Sequence, residues 1–183
     1  MTKININNLK QNYQMIHFFG LGFVQLKIDN NLRYHFYHPE LSLIVQDEEV
    51  HNHRYNFIST VLAGNLTNIV FDFNVNPEGL YILEKESCNV NQKIENSPFD
   101  IINVDLIKKS EDTYMKDQSY TCLTNEYHKV KTDFAITRLY RGQIISDYAN
   151  IIRKKGESKI CPFSKQLKEE ECWEVVQDCI NRS

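Results

Sequence analysis

Hydrophobic and polar residues alternate along most of this chain with the period of a strand. The clearest stretch is Val50 to Phe73, VHNHRYNFISTVLAGNLTNIVFDF, rich in β-branched and aromatic residues and interrupted at Ala63-Gly64-Asn65. That pattern predicts two strands joined by a glycine turn. Upstream, FVQLKI, a turn at Asp29-Asn30-Asn31 and LRYHFYHP predict a β-hairpin that Pro39 ends, and LSLIV begins a further strand. Downstream, Leu80 to Leu83, DIINVDLI, SYTCL, EYHKV and FAITRLYRG read as strands, with ESCNVNQKIENSP as an exposed loop. Ile144 to Ile152 suits a strand or a helix, and KKGESK a loop.

Helical spacing marks the two ends. Leu9, Tyr13, Ile16 and Phe19 predict a helix over 6–19, stopped by Gly20 and Gly22. SKQLKEEECWEVVQDCINR predicts a helix over 164–181, capped by Ser164, with Leu167, Cys172, Val175, Val176, Cys179 and Ile180 on its buried side. Many short strands between two terminal helices predict an all-β fold with helical decoration, a β-barrel or jelly roll. The length suits a single domain over 1–183, with a barrel core of about 22–142 and a C-terminal extension over 143–183.

Composition narrows the classes. A formal net charge of −3 over 183 residues gives no reason to expect a nucleic-acid partner. No apolar run approaches the roughly 20 residues of a membrane span, and MTKININNLKQNYQ lacks the apolar core of a signal peptide. Five cysteines, Cys88, Cys122, Cys161, Cys172 and Cys179, form no C-x-x-C pair, which suits reduced thiols and a cytoplasmic location. There is no G-x-S-x-G elbow, phosphate-cradling glycine loop or Rossmann fingerprint.

The candidate chemistry lies in the histidines. Side chains at i and i+2 of a strand share a face, so His51 and His53 present two imidazoles side by side. His128 opens another strand, and the two strands brought together would close a three-histidine metal site. The competing reading is three polar side chains on an exposed sheet face. By the same parity Tyr55, Phe57, Ser59 and Val61 face inward, with hydroxyls of Tyr55 and Ser59 near the metal, or with Ser59 as part of the barrel core. Arg33 and His35 share a face with Tyr37: they line the pocket if it looks inward and are solvated if it looks outward. Arg138, amid apolar neighbours and sharing a face with Phe134, Ile136 and Tyr140, is a candidate anion clamp, with a structural salt bridge as the alternative. His17, within the expected helix, and His38, before Pro39, carry little weight as ligands.

The H-x-H strand, the following Gly64 turn and the later Tyr127-His128-Lys129-Val130 resemble the two motifs of the cupin superfamily. The glutamate of the first cupin motif falls near Phe57 or Ile58, so the pattern is similar to the three-histidine, cysteine dioxygenase-like branch. That resemblance implies a double-stranded β-helix barrel that pairs as a homodimer. It also implies one divalent transition metal on His51, His53 and His128, iron first and zinc, nickel or manganese as alternatives, with Tyr55 as a catalytic group. Arg33, His35, Ser59 and Arg138 would bind a small-molecule substrate, a thiol or organic acid, in an oxygenase-type reaction. A barrel that binds a nucleotide or sugar derivative without turnover is the other expectation.

Overall fold

A strand whose alternate residues are apolar buries one face only when something lies across it, and here one long strand serves two sheets. The computed structural model describes residues 4–19, 22–42, 49–86, 101–157 and 167–183. In chain order the elements are α1 (Ile6–Asn12), β1 (Met15–Phe19), β2 (Phe23–Lys27), β3 (Leu32–Tyr37), α2 (Pro39–Ser42), β4 (Val50–His51) and β5 (Tyr55–Val75). They continue with β6 (Tyr81–Glu86), β7 (Ile102–Met115), β8 (Ser119–Cys122), β9 (Tyr127–Lys131), β10 (Ala135–Ile144), β11 (Ala149–Lys154) and α3 (Glu169–Asn181). The expected loop beyond Glu86, the Ser164 cap, Cys88, Cys161 and the end of the LSLIV segment lie outside the described residues.

The strands pair antiparallel throughout. β1, β2, β3, β10, β5 and β8 form a first sheet, in that order. The second runs β5, β7, β6, β11, β4, β9 and closes onto β5 as a ring of strands. β5 changes sheets at Gly64: Gly64 is the last partner of β10, and Asn65 the first partner of β7. The expected glycine turn is therefore a bend within one continuous strand. Gly64 has φ +70, and a Cβ there would stand 2.1 Å from the Phe134 carbonyl oxygen, so only glycine fits.

Two faces of the first sheet bury separate clusters. On one, Phe18, Val24, Leu26, Phe36 and Ile136 pack under α1 and α3 against Leu9, Cys172, Trp173, Val176 and Cys179. On the other, Phe23, Tyr37, Phe57, Val61, Ala135 and Leu139 meet Leu66, Tyr114 and Val130 of the second sheet. A third cluster, with Val50, Val104 and Ile152 buried and Phe71 and Tyr127 packed on it, involves the face of the second sheet that points away from His51 and His128.

The N-terminal helix expected over 6–19 is a correction. α1 ends at Asn12, Tyr13 is extended (ψ 150), and Met15–Phe19 is a strand paired with β2. Ile16 and Phe18 belong to the helix-side cluster, so the i, i+3 spacing that suggested helix is also met by a short helix followed by alternating strand positions. The C-terminal helix is present from Glu169, and its buried side includes Trp173, which the pattern had not singled out. The segment left open between Ile144 and Ile152 supplies β11, a member of the ring that lies past the expected barrel boundary at Gly142. Among the described residues no helix is long and apolar enough to cross a membrane.

Candidate metal centre

His51 and His128 are direct partners across β4 and β9, and His128 is also the partner of Val70 on β5. Antiparallel partners point to the same face, so these two imidazoles meet with ring centroids 5.0 Å apart. His53 joins them by another route than strand parity. β4 ends at His51, and Asn52 and His53 form no strand. Asn52, buried, holds this short link in place. Its Nδ2 donates to the Thr124 carbonyl (2.9 Å), its Oδ1 accepts the Asn150 N–H (2.6 Å), and its own N–H donates to the Asn150 carbonyl (3.0 Å). Further along the chain, the Thr124 N–H and hydroxyl both donate to Asn56 Oδ1 (2.7 Å each), and Arg54 Nε donates to the Ser146 carbonyl (3.2 Å). The His51-Asn52-His53 corner is thus tied to the loop before β9 and to β11.

One ligand atom from each of His51, His53 and His128 lies within 4.8 Å of the others. His51 Nδ1 is 3.0 Å from the Glu49 carbonyl oxygen, an acceptor, so Nδ1 carries the proton and Nε2 keeps its lone pair. His128 Nδ1 is 2.7 Å from Asn68 Oδ1. His53 Nε2 and His128 Nε2 are 2.9 Å apart, a spacing at which two ring nitrogens must share a proton or a cation. Burial holds the His53 imidazolium well below its usual range, and His51, His128, His35 and Arg33 add repulsion. Burial and then His51 do the same to His128. These are neutral imidazoles, the form that binds metals. Phe57, where the cupin motif would carry its carboxylate, packs edge-on against His53 at 4.8 Å, and among the described residues no acidic side chain joins the set.

The other expected residues divide between the two faces of the first sheet. His17, Gln25, His35 and Thr137 are successive partners across β1, β2, β3 and β10, and Gln25 and Thr137 are buried. His35, flanked by Phe23 at 4.7 Å and within 3.1 Å of Gln25 Nε2, is lowered to about 3 by burial, Arg33 and His17. His17 therefore points with His35 and not from a helix, which overturns its placement. Arg33 Nη1 donates to the Tyr55 hydroxyl (3.2 Å), and Arg33 and Arg141 stand 5.6 and 5.2 Å from the Tyr55 ring centroid. Among the described residues neither arginine has a carboxylate partner. Tyr55 lies 5.7 Å from His53, ring to ring. Ser59 shares the inward face but is 1% exposed, sealed in the core with Tyr120 and Leu139 as partners. Arg138 is the partner of Tyr34, on the helix side of the sheet, and so is not brought to the histidines. His38 is bound to Asp178 of α3 (2.6 Å).

Sequence reasoning missed Asn52 and Asn68. Asparagine is common in turns and in this chain, and only the Asn68 position, two residues after the apolar Leu66 in a strand, hints at an inward polar group. No protein-family model matches the chain, and no curated protein resembles it significantly in sequence. What the arrangement offers chemically is three imidazole nitrogen donors within reach of one cation.

Proposed function

We propose that this chain is a metal-binding protein with a single cupin-like barrel, in which His51, His53 and His128 hold one divalent transition metal. The observation that carries the reading is the convergence of three imidazoles, two of them with Nδ1 turned outward onto oxygen acceptors and Nε2 left for a cation. Imidazole nitrogen suits iron, zinc, nickel and copper, and iron is the ion the resemblance implies. With three neutral ligands the cation's charge is left uncompensated, which favours an anionic oxygen or thiolate from a bound molecule. A bound metal would supply a Lewis acid and, as iron, a centre for oxygen chemistry.

The protein's own groups fit a small organic acid or thiol. Arg33 and Arg141 put positive charge around Tyr55, and Arg33 fixes the Tyr55 hydroxyl, the group we assign to hold a proton near the substrate. His35 lines the same inward face, neutral and available as a hydrogen-bonding group. Arg138, on the opposite face, has no part in this reading, and Ser59 serves as packed wall. A second copy covering the open edge at β8 or β1 would complete the assembly.

The test is metal analysis of protein purified without a histidine tag and offered iron, zinc, nickel and manganese. One equivalent is expected in the wild type and in His17→Ala, and none in His53→Ala. A wild type that retains none of the four metals overturns the centre. Metal without oxygen uptake on any small thiol or organic acid would leave a binding protein.

A further inference from the structure

An imidazole donates to a metal through one nitrogen only if the proton sits on the other. The partner of that other nitrogen therefore decides whether a histidine in the right place is a ligand. His51 is held by a backbone carbonyl, which sequence changes at that residue would not remove. His128 is held by a side chain. Its Nδ1 faces Asn68 Oδ1 at 2.7 Å, and both residues are buried, 3% and 5% exposed. Asn68 pairs with Val130 and His128 with Val70, so the two side chains sit diagonally on one face of β5 and β9.

We infer that Asn68 is the positioning residue of this centre: it fixes His128 in the Nδ1–H tautomer and aims Nε2 at His51 and His53. The inference rests on the metal reading above and adds the residue on which one ligand depends. The physical case is one of elimination between tautomers. With the amide oxygen as acceptor, the Nδ1–H is satisfied and the Nε2 lone pair faces the cluster. Without it, the Nδ1–H would be a buried donor with no acceptor, a state that burial penalises. The proton would then move to Nε2, where His53 Nε2, at 2.9 Å, can accept it. That tautomer has no lone pair on the nitrogen that faces the metal position. A polar side chain buried beside Leu66 is itself costly unless paired, and the His128 ring is the partner that Asn68 meets.

The test uses the full chain labelled with 15N-histidine, as wild type, Asn68→Leu and Asn68→Asp. Leu keeps the volume and removes the acceptor; Asp keeps an acceptor. Tautomers are read from long-range 1H–15N correlations at pH 7.5 with chelator present, and zinc affinity by competition with a chromophoric chelator. The expected result is Nδ1–H on His128 in the wild type and in Asn68→Asp, and Nε2–H in Asn68→Leu. Zinc affinity should fall on the order of 10–100-fold in Asn68→Leu and be restored in Asn68→Asp. An Nε2–H tautomer in the wild type, or a tautomer and affinity unchanged in Asn68→Leu, overturns the inference. If the wild type takes up none of zinc, iron, nickel and manganese, the metal reading fails, and the tautomer arm still decides by itself whether Asn68 holds the ring. Should Leu at this position prevent folding, Asn68→Ser, too short to reach Nδ1, replaces it.

Discussion

Acid should destabilise this protein before its carboxylates begin to titrate, and His35 accounts for a definite part of the effect. In the folded chain His35 is lowered to about 3, first by burial and then by Arg33 and His17; in the unfolded chain it returns to the ordinary value of 6.5. Between those two values the unfolded state binds the extra proton, so stability is fully present above pH 6.5 and is lost as the pH falls. From pH 7 to pH 5 the loss from this one group is about 2 kcal/mol, since the slope approaches ~1.4 kcal/mol per pH unit once the unfolded chain is protonated. His17, His53 and His128 are shifted the same way, also by burial first, and add slope of the same sign. Asp29 and Asp178 are held low by hydrogen bonds and lose their contribution only as the pH falls below the carboxylate range, so the window from 7 to 5 belongs to the histidines. The assay is urea unfolding at pH 7, 6 and 5 with chelator present, on wild type and on His35→Gln. The variant can still meet Gln25 but cannot be protonated, so its loss between pH 7 and pH 5 should be smaller than the wild type's by about 2 kcal/mol. Parallel profiles for the two proteins, or a wild type as stable at pH 5 as at pH 7, would refute the reasoning.

Three further outcomes follow from single positions. Asn52→Ala strips partners from the Thr124 carbonyl and the Asn150 N–H, and should cost roughly 1–3 kcal/mol in urea unfolding while weakening zinc binding. Gly64→Ala would drive a Cβ into the Phe134 backbone at a positive φ, so the variant should show a melting temperature many degrees lower or fail to fold, as circular dichroism would record. Cys122, Cys172 and Cys179 are buried free thiols; burial raises all three, Cys172 to about 11 and Cys179 to about 12, so mass spectrometry should find them unalkylated by iodoacetamide in the folded protein at pH 8 and alkylated in urea.

Much of this was written in the local pattern. Short runs of β-branched and aromatic residues between turns located β2, β3, β8, β9 and β10, although β2, β3 and β10 are covered on both faces, so alternation alone does not say which side of them meets the second sheet. His51 and His128 were legible as polar residues on strands, whereas His53 reaches them through the link after β4 and not by the parity that singled it out. Where the pattern misled, two structures satisfied it equally. Leu9, Tyr13, Ile16 and Phe19 fit a helix, but Ile16 and Phe18 also line one face of β1, and the partner strand β2 decides between them. The turn expected at Gly64 failed because a positive φ can bend a strand as well as reverse it; only the different partners on either side, β10 before and β7 after, tell the two apart. Arg138, read as an anion clamp or a structural salt bridge, lies on the helix side of the sheet, because the sequence shows which residues share a face of β10 but not which face looks at the histidines. Asn52 and Asn68 act through partners 72, 98 and 60 residues away, a relation no local pattern carries.

The histidines come from the second sheet and its link to β5, whereas Arg33, His35 and Tyr55 come from the first. The centre therefore exists only when the two sheets face each other, and the strand that joins them, β5, supplies Tyr55 at one end, Phe57 beside His53, and Asn68 behind His128. That arrangement explains why the interior tolerates so many polar rings. Five of the six histidines, His17, His35, His51, His53 and His128, are turned toward the space between the sheets, at a cost in desolvation that their lowered affinity for protons records for four of them. A cation bound by three of these rings would return that cost, since a ligand that binds only the folded chain stabilises it by about 2.7 kcal/mol at a hundredfold excess over its dissociation constant. Folding and metal uptake are then one linked equilibrium: closing the sheets builds the site, and filling the site holds the sheets closed.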